Sequence, residues 1–401
     1  MLEQLSGIRV LDLTSNVAGP FGTLVLRDLG ADVLKVESPA GDPVRSWPPF
    51  TPDGRSTTFA ALNRGKRSVA VDLKDPDGRR VLLELAGDAD VVVESMRPGV
   101  MDRLGLSWDV LHAANQRLVY TSISAFGGVG PLADRPGYDA IIQAYSGIMN
   151  LTGEPDGPPV RVGTGLIDMG TGMWAALATI AALRQREVSG AGARVSATLL
   201  GTAVGFLFHH LASIDLAGVV PRRLGTGQHN TAPYEAIPAS DGFVMVGAAN
   251  DTLWQRFCDA LGDDGRLRDS PLFATNADRV RNRARLVAAA GELAGELTTA
   301  ELAARFEKAG VPASAVRDTA ELLGDPQVHA MELLQPWGEH RLGVVPVSVD
   351  GRMSTVDGSL AALGAHGREV LADLGMSGER IDELVRRGTV HIGSDVPVEG
   401  E

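Results

Sequence analysis

Residues 7–37 read GIRVLDLTSNVAGPFGTLVLRDLGADVLKVE, and this stretch decides the fold class. The apolar run at 8–13 has the length of a strand, the spacing of apolar residues over 21–29 predicts a helix that Gly30 stops, and residues 32–37 resemble a second strand. Two nearly continuous apolar strands joined by a helix indicate a parallel sheet that is covered on both faces. The stretch therefore predicts an α/β fold.

The same alternation continues along the first half of the chain. Further strands are predicted at 68–73, 91–94, 118–123 and 195–199, and further helices at 76–85, 108–114 and 169–187. Repetition of the strand–helix–strand unit strengthens the prediction of a parallel α/β sheet.

The character of the sequence changes near Gly218. Residues 222–242 are rich in Gly, Pro, Asn and Ser, which is typical of a linker and a loop. The segments that follow predict a smaller domain, with a strand at 243–246 and helices at 253–261, 277–295 and 300–309.

The C-terminal part is predicted to return to a sheet. Residues 343–349 resemble a strand, 367–387 are expected to hold two short helices, and the acidic tail 393–401 is expected to be loose.

Composition excludes several classes of protein. The net charge of -13 over 401 residues argues against a protein that coats nucleic acid, because phosphate binding needs an excess of Lys and Arg. Cys258 is the single cysteine, so no intrachain disulfide is possible, and the N-terminal residues have no signal-peptide pattern. We therefore expect a cytoplasmic protein.

The apolar stretch 172–183 and the run before His209 are shorter than the ~20 residues of a membrane span, so we expect buried helices and no membrane partner.

Common catalytic motifs are absent from the sequence. The first turn lacks G-x-G-x-x-G, so a nicotinamide cofactor is not expected, and no Walker A, G-x-S-x-G, H-E-x-x-H or cysteine cluster occurs. His209 and His210 are adjacent on an apolar helix and do not face one another, which favours one packed and one peripheral side chain over a metal site. We predict no metal, and a buried structural thiol at Cys258.

Six strings in a fixed order resemble one family, the class III CoA-transferases, over residues 7 to about 390. The strings are GIRVLDLT at 7–14 with AGP at 18–20, LGADVLKVE at 29–37 and GDP at 41–43; NRGKRS at 63–68 with DLK at 72–74; Glu94 with PG at 98–99 and RLG at 103–105; GYD at 137–139; Asp168 with TGM at 171–173; and APY at 232–234 with DG at 241–242 and ND at 250–251. Each string is short, and the specificity lies in their order and spacing.

The resemblance implies an architecture. Members of the family have a Rossmann-like large domain built from both chain ends, a smaller α+β domain between them, and two subunits interlocked like links in a homodimer. For this chain it implies a large domain at 1–200, a linker at 201–224, a small domain at 225–325 and a return to the large domain at 326–401.

The resemblance also implies an activity, the transfer of coenzyme A from an acyl-CoA to a free carboxylic acid. The covalent nucleophile would be Asp168, in the string GTGLIDMGTG at 163–172. The alternative is that Asp168 merely caps the long helix that follows, since Asp is a good N-cap residue. The glycines around it are expected to let backbone approach the thioester and to offer N–H groups to an oxyanion.

Several positions match the part of the family that binds coenzyme A. These positions are Val17, Ala18, Lys74, Ser95, Met96, Arg97 and Arg103. Glu94-Ser95-Met96 departs from the Glu-Asn-Phe that is common in the family, and it removes an aromatic ring that stacks on adenine. A basic run at 64–67 is equally typical of a solvated loop.

A glycine-rich gate and an aromatic residue complete the predicted site. Gly225, Gly227 and Gln228 stand where formyl-CoA transferase has four glycines before a glutamine, and they predict a mobile lid or an ordinary linker. Tyr138 stands where the racemase branch of the family has a histidine, and Asn250 where that branch has a glutamate.

Three other functions remain open from the sequence. A racemase of 2-methylacyl-CoA thioesters needs a second proton carrier, which Tyr138 does not supply. A catalytically idle CoA-binding protein is disfavoured by the complete string around Asp168, and a dehydrogenase by the missing glycine fingerprint. The acids themselves are not predicted. Arg161, Arg222 and Arg223 are either partners of a second substrate carboxylate or surface residues.

Overall fold

A computed structural model describes residues 2–393, so the predicted loose tail lies almost wholly outside the described residues. The strands are β1 (Arg9–Leu13), β2 (Asp32–Glu37), β3 (Arg67–Val71), β4 (Val91–Glu94), β5 (Val119–Ser124), β6 (Arg194–Thr198), β7 (Tyr234–Ala239), β8 (Gly242–Gly247), β9 (Ala313–Ala315), β10 (Leu334–Trp337), β11 (His340–Gly343), β12 (Ser348–Val349), β13 (Arg352–Met353) and β14 (Val390–His391). The helices are α1 (Ala18–Asp28), α2 (Thr57–Asn63), α3 (Pro76–Asp88), α4 (Val100–Arg103), α5 (Trp108–Ala114), α6 (Asp139–Ser146), α7 (Leu166–Ser189), α8 (Leu199–Phe206), α9 (Phe208–Ala217), α10 (Asp251–Leu261), α11 (Asn276–Arg281), α12 (Arg283–Ala294), α13 (Thr299–Lys308), α14 (Pro326–Ala330), α15 (Gly367–Asp373) and α16 (Gly378–Arg386), with three short 3-10 helices between them.

The described chain forms two compact units. The large unit holds residues 2–146, 163–206 and 326–393, and the small unit holds 147–162 and 207–325. The small unit therefore takes in a segment before residue 163, which the predicted boundaries leave in the first domain. The predicted linker 201–224 contains the end of α8 and all of α9.

A seven-stranded sheet is the centre of the large unit. Its strand order is β14-β3-β2-β1-β4-β5-β6, and every neighbouring pair is parallel except β14 with β3. The predicted parallel α/β sheet is confirmed. The strand order reverses between β1 and β4, and in open α/β sheets the crevice beyond the carboxyl ends of the strands at such a reversal is where ligands bind.

The chain returns to this sheet later than predicted. Residues 343–349 do not join it, because β11 and β12 instead pair with β10 and β13 in two small antiparallel hairpins. The strand that rejoins is β14, at the opposite edge from β6. Only two residues of β14 pair with β3, and a strand this short gives almost no periodic signal in a sequence.

Helices α1 and α7 cross at a pair of glycines. A Cβ atom on Gly172 would lie 2.4 Å from the carbonyl oxygen of Ala18 and 2.9 Å from the nitrogen of Gly22. A Cβ on Gly22 would lie 2.9 Å from the carbonyl oxygen of Gly172. The two backbones therefore touch, and any side chain at either position would separate the helices.

A cluster of buried charges supports the turn that follows β1. Asp12 is fully buried and accepts hydrogen bonds from the Thr23 hydroxyl at 2.7 Å and from Lys66 Nζ at 2.9 Å. Lys35, opposite Asp12 in the register of β1 and β2, pairs with Asp42 at 3.0 Å. Burial opposes ionisation of Asp12, but the charges of Lys66 and Lys35 outweigh it and hold the pKa of this carboxyl well below its usual range.

α7 is longer than the sequence suggests. It has 24 residues and is apolar enough to cross a bilayer by length and composition alone. In the large unit it packs against α1, β5 and β6. α9 has no buried residue, so the expectation of a buried helix before His209 holds only for α8, where Leu199, Thr202 and Ala203 are buried.

The small unit is built on the antiparallel sheet β7-β8-β9 and helices α10 to α13. Its core contains Phe257 and Phe306, whose rings stack at 5.4 Å, and Cys258, which is buried as predicted. The helix predicted over 277–295 is broken into α11 and α12 at Asn282. The Asn282 amide donates to the carbonyls of Leu272 at 3.1 Å and Asp278 at 3.0 Å, which stabilises the break.

The close crossing of α1 and α7 predicts that Gly→Ala changes the free energy of unfolding differently at Gly172 and at Gly87. Gly172→Ala should lower the free energy of unfolding by about 1–3 kcal/mol, because the new methyl group meets the backbone of α1. Gly87→Ala, in α3 with no atom within 4 Å of its Cβ position, should leave it unchanged or raise it by up to about 1 kcal/mol through helix propensity. Urea midpoints at one protein concentration make the comparison. Equal midpoints for the two variants would show that the crossing is not close in solution.

Candidate active site

A cavity of about 210 Å³ lies at the reversal of strand order between β1 and β4. It is lined by the turn after β1, the loop after β4, the end of β5, the segment before α6 and the starts of α7 and α8. Of the predicted site residues, the cavity brings together Val17, Ala18, Ser95, Met96, Arg97, Tyr138 and Asp168.

The turn after β1, which lines this cavity, is hydrogen-bonded to the loops after β4 and β2. The Ser15 N–H donates to Ser95 Oγ at 3.0 Å, and the Asn16 N–H donates to the Asp42 carboxylate at 3.3 Å. Asn16 has a φ of 66°, a left-handed conformation that asparagine tolerates better than most residues. Ser95, which departs from the family pattern, therefore holds the first turn against the loop after β4.

Asp168 lies in the first turn of α7 but is not its cap. The N-cap position is Gly165, and no side chain within this turn caps the helix. The carboxylate of Asp139, from α6, takes the role instead, because one of its oxygens accepts from the N–H groups of Ile167 at 2.7 Å and Asp168 at 3.1 Å. The alternative that Asp168 serves merely as a helix cap is therefore wrong.

The Asp168 carboxylate has no hydrogen bond or ion pair with any other residue of the described range 2–393. It is half-buried in the cavity wall. Burial, with the nearby charge of Asp139 as the second cause, raises the pKa of Asp168 to about 7. The cavity therefore contains a poorly solvated carboxylate without a partner, which is a reactive arrangement rather than a stabilising one.

The glycines after Asp168 serve packing. A Cβ on Gly170 would lie 2.6 Å from the Phe206 ring, and Gly172 lies against α1. The first N–H groups of α7 are also engaged, since Leu166 donates to Thr164 at 2.9 Å and Met169 to Gly165 at 2.9 Å, beside the two bonds to Asp139. The expectation that backbone around Asp168 offers free N–H groups is therefore wrong for these positions.

Two larger cavities adjoin the first through shared residues of the loop after β4. One of about 550 Å³ contains Lys74 together with Ser95 and Met96, and the other, of about 780 Å³, contains Met96 and Arg97. Arg103 is exposed on α4 and is not among the residues that line these three cavities. The structure thus groups Lys74 and Arg97 with the Asp168 region and leaves Arg103 at its periphery.

Glu94, at the end of β4, lines the 780 Å³ cavity. Burial raises the pKa of Glu94 to about 7, although the Met96 N–H donates to it at 2.8 Å. The carboxyl is therefore partly protonated at neutral pH.

The glycine loop belongs to the small unit. The Gly225 N–H donates to the carbonyl of Gly153 at 3.0 Å, and Arg283 donates to the carbonyls of Gln228 and, at 2.8 Å, of Thr231. Arg283 also pairs with the buried Glu235. The loop 225–228 is thus anchored at both ends by hydrogen bonds.

Sequence reasoning missed three lining or supporting residues. Asp139 belongs to one of the family strings, but the sequence analysis gives it no role. An acid at the start of a helix with a glutamine four residues later indicates a side-chain pair on one helix face, and the Gln143 amide does donate to Asp139 at 2.5 Å. Ser15 and Arg135 lie in turns without a motif, so only the folded chain shows that they line the cavity.

Comparisons with known proteins identify the family of the chain. A sequence model described as CoA-transferase family III matches residues 5–366. An acetyl-CoA:oxalate CoA-transferase of Acetobacter aceti is 40% identical over 347 residues, covering 86% of this chain and 89% of the relative. A succinyl-CoA:glutarate CoA-transferase of Homo sapiens is 36% identical over 399 residues, covering 97% and 90%. The crystal structure of a CaiB/BaiF family protein from Brucella suis matches with a TM-score of 0.85 at 36% identity, covering 92% of this chain and 99% of that one. The chain therefore belongs to CoA-transferase family III and is an enzyme of that family.

Proposed function

We propose that this enzyme exchanges coenzyme A between an acyl-CoA and a free carboxylic acid through a covalent aspartyl-CoA thioester on Asp168. The observation that carries the proposal is the half-buried carboxylate of Asp168, which lacks a partner among residues 2–393 and shares one cavity with the first turn and the loop after β4. A carboxylate in this state is a better nucleophile than a solvated one, because little solvation has to be removed before attack.

The proposed reaction is a series of acyl transfers through Asp168. The Asp168 carboxylate attacks the thioester carbonyl, the C–S bond breaks, and a mixed anhydride and CoA thiolate form. The thiolate attacks the aspartyl carbonyl of the anhydride and releases the donor acid as its carboxylate. The acceptor carboxylate then attacks the carbonyl of the aspartyl-CoA thioester, which releases CoA thiolate and forms a second mixed anhydride. The thiolate attacks the acceptor's carbonyl in that anhydride, and the new acyl-CoA and the free Asp168 carboxylate are formed. Every leaving group in these steps departs as a thiolate or a carboxylate, so no step requires a proton.

The oxyanion of each step is stabilised from α1 rather than from α7. The N–H groups of Ala18 and Gly19 stand at the start of α1, where no side chain caps the helix and Pro20 follows. Both residues line the Asp168 cavity. Uncapped N–H groups at the positive end of a helix favour a developing negative charge.

The cofactor is bound beside this cavity. The 550 Å³ cavity with Lys74 takes the nucleotide portion of coenzyme A, and Arg97, in the adjoining cavity, contributes positive charge near its phosphates. Arg103, which lines neither cavity, stays a prediction that the binding measurement below tests. Met96 replaces the aromatic ring of the family pattern, so adenine is held by apolar contact rather than by stacking.

Dicarboxylic acids are the proposed class of substrate. The relatives described above are named for oxalate and glutarate, which are both dicarboxylic acids. A racemase is disfavoured, because none of the residues lining the Asp168 cavity is a histidine and Tyr138, the residue in the corresponding position, is 65% exposed.

An interlocked homodimer is the proposed assembly. The exposed face of α7 carries Met173, Trp174 and Leu177, and α9 exposes Phe208 and Leu216. Large apolar side chains in such numbers are typical of surfaces that are covered in an assembly.

Asp168→Asn should abolish exchange while leaving the fold intact. A neutral amide is a poor nucleophile, so exchange should fall by several orders of magnitude. The folded-state pKa of Asp168 is raised, so its ionisation opposes folding above about pH 4 and the variant should be at least as stable as the wild type. Exchange is followed by mass spectrometry. Hydroxylamine added during turnover of acyl-CoA should capture the activated Asp168 carbonyl as a hydroxamate in the wild type alone.

Sedimentation of both proteins in dilute solution is the control for assembly. Each should remain a dimer, and a folded monomer would exclude the interlocked arrangement. Near-normal exchange by a folded Asn variant would end the covalent proposal.

The activity should depend on pH through Asp168. Because the ionised form attacks, kcat/KM for the acyl-CoA should rise with pH with a midpoint near pH 7 and level off about one pH unit above it. Asp139→Asn keeps an acceptor oxygen for the α7 N–H groups but removes a negative charge, so the midpoint should move to lower pH. The matched control Asp134→Asn, an exposed acid outside the cavity, should leave the midpoint unchanged. Identical midpoints for all three proteins would remove Asp139 as a cause.

Coenzyme A binding should depend on the predicted cations. Lys74→Ala and Arg103→Ala should each weaken CoA binding by about tenfold at physiological salt, the effect of losing one charged contact to phosphate. Lys308→Ala, which removes an exposed charge on α13, should not change the dissociation constant. Titration calorimetry measures all three. Unchanged affinity in the Arg103 variant would leave Lys74 as the phosphate ligand and withdraw Arg103.

A further inference from the structure

Lys66 is a buried lysine that lies under the start of α1. It directly precedes β3 in the chain, and only 1% of its side chain is exposed. Its Nζ lies 2.9 Å from each of four acceptors, which are the Asp12 carboxylate, the Pro20 carbonyl, the Thr23 hydroxyl and the Asn63 amide oxygen. An ammonium group has three N–H donors, so every donor of Lys66 has a partner in this set.

These contacts hold both ends of the turn that joins β1 to α1. At the first end, the Asp12 carboxylate that pairs with Lys66 also accepts from the Thr14 N–H at 3.0 Å. At the second end, Lys66 holds the carbonyl of Pro20 in the first turn of α1. Residues 15–19 lie between these two points and line the candidate active site. The position of the turn in the active site therefore depends on one buried ion pair.

The contact at Pro20 also affects the free N–H groups of α1. Pro20 has no N–H, and the Phe21 N–H donates at 2.9 Å to the carbonyl of the residue before the helix. The donors left in the first turn are those of Ala18 and Gly19, which stabilise the oxyanion in the proposed mechanism. Because Pro20 directly follows Gly19, a shift of the Pro20 carbonyl reorients these donors.

Charged groups from two strands and a loop face Lys66. They are Asp12 from β1, Lys35 from β2 and Asp42 from the loop after β2, whereas α1 and α2 bring the neutral acceptors named above. Burial lowers the pKa of Lys66 below its ordinary value of 10.5, and repulsion from Lys35 adds to this effect, so that the attraction of Asp12 and Asp42 is outweighed. Lys66 therefore releases its proton at a lower pH than a solvated lysine does.

We propose that protonated Lys66 is a positioning residue, which keeps the N–H groups of Ala18 and Gly19 aimed at the substrate carbonyl, and that loss of its proton releases them. A neutral amine has one N–H fewer and leaves the Asp12 carboxylate buried without the charge of Lys66, so both ends of the turn are held less firmly. Lys66 itself touches neither the substrate nor the reacting atoms. The proposal rests on the function proposed above, since it concerns the rate of that reaction.

A loss of activity that follows this proton is not caused by unfolding. Folding lowers the pKa of Lys66, so the unfolded chain binds the proton more tightly than the native protein does. Between the folded value and 10.5, this group therefore raises the free energy of unfolding as the pH increases. A rate that falls in this range reports a change within the native protein.

Two substitutions at Asn63 test the proposal in opposite directions. In the wild type, kcat/KM for the acyl-CoA should fall again at alkaline pH, by about 10- to 100-fold at pH 10. Displaced donors should cost less than the roughly 100- to 1,000-fold loss that follows deletion of an oxyanion donor. Asn63→Asp puts a carboxylate beside Nζ, so the fall should move to higher pH by about one unit. Asn63→Leu removes an acceptor, so the fall should move to lower pH.

The rise of the rate at lower pH is the control within each profile. It belongs to Asp168, so its midpoint should be the same in the wild type and in both Asn63 variants. Circular dichroism at each pH checks that the three proteins stay folded. A fall that is absent up to pH 10, or that occurs at one pH in all three proteins, would overturn the proposal.

Hydrogen exchange followed by mass spectrometry examines the turn without relying on activity. After correction for the pH dependence of the intrinsic exchange rate, the peptide covering residues 14–24 should lose protection as Lys66 loses its proton, and at higher pH in Asn63→Asp. A peptide from α3 should keep its protection. If the wild type exchanges no acid at any pH and the turn still loosens, the proposed function fails and the role of Lys66 in the turn stands. If exchange is normal and neither the rate nor the protection responds to Asn63, the proposal for Lys66 fails alone.

Discussion

The contact between Gly22 and Gly172 is the constraint on which the active site depends. Because neither residue has a side chain, α1 and α7 approach until their backbones touch, and the start of each helix is brought to the same crevice. The start of α1 supplies the uncapped N–H groups of Ala18 and Gly19, and the start of α7 supplies Asp168. A wider crossing would leave the nucleophile and the proposed oxyanion donors in separate places. The position of the crevice follows from the strand order, which reverses between β1 and β4.

Aspartates around this crevice have different tasks, and their partners distinguish them. Asp12 and Asp42 are buried against Lys66 and Lys35, and they hold the turn after β1 in shape. Asp139 is buried against the N–H groups of α7. Asp168 has no such partner in the part of the chain that the structure describes, so burial disfavours its charge instead of being offset. That contrast supports a catalytic role for it, because a carboxylate that only stabilised the fold would be expected to have donors.

The glycines around Asp168 serve close packing and do not offer free N–H groups to an oxyanion, as the sequence suggests. Gly170 and Gly172 are needed where the Phe206 ring and the backbone of α1 come too close for a Cβ atom. Ser95 shows the reverse case. The sequence marks it only as a position that matches the CoA-binding part of the family, yet its hydroxyl oxygen accepts a hydrogen bond that joins the turn after β1 to the loop after β4. In both cases the role depends on a neighbour that is distant in the sequence.

The sequence alone determined the parallel α/β sheet, the small helical segment after residue 242, the family and the candidate nucleophile. These follow from local periodicity and from strings of adjacent residues, which a linear chain displays directly. Only the tertiary structure decided that Asp139 rather than Asp168 caps α7, that β14 rather than residues 343–349 completes the sheet, and that Ser15 lines the Asp168 cavity. Each of these depends on which distant segments pack together, and hydrogen bonding and burial between such segments have no period and no fixed spacing in the sequence.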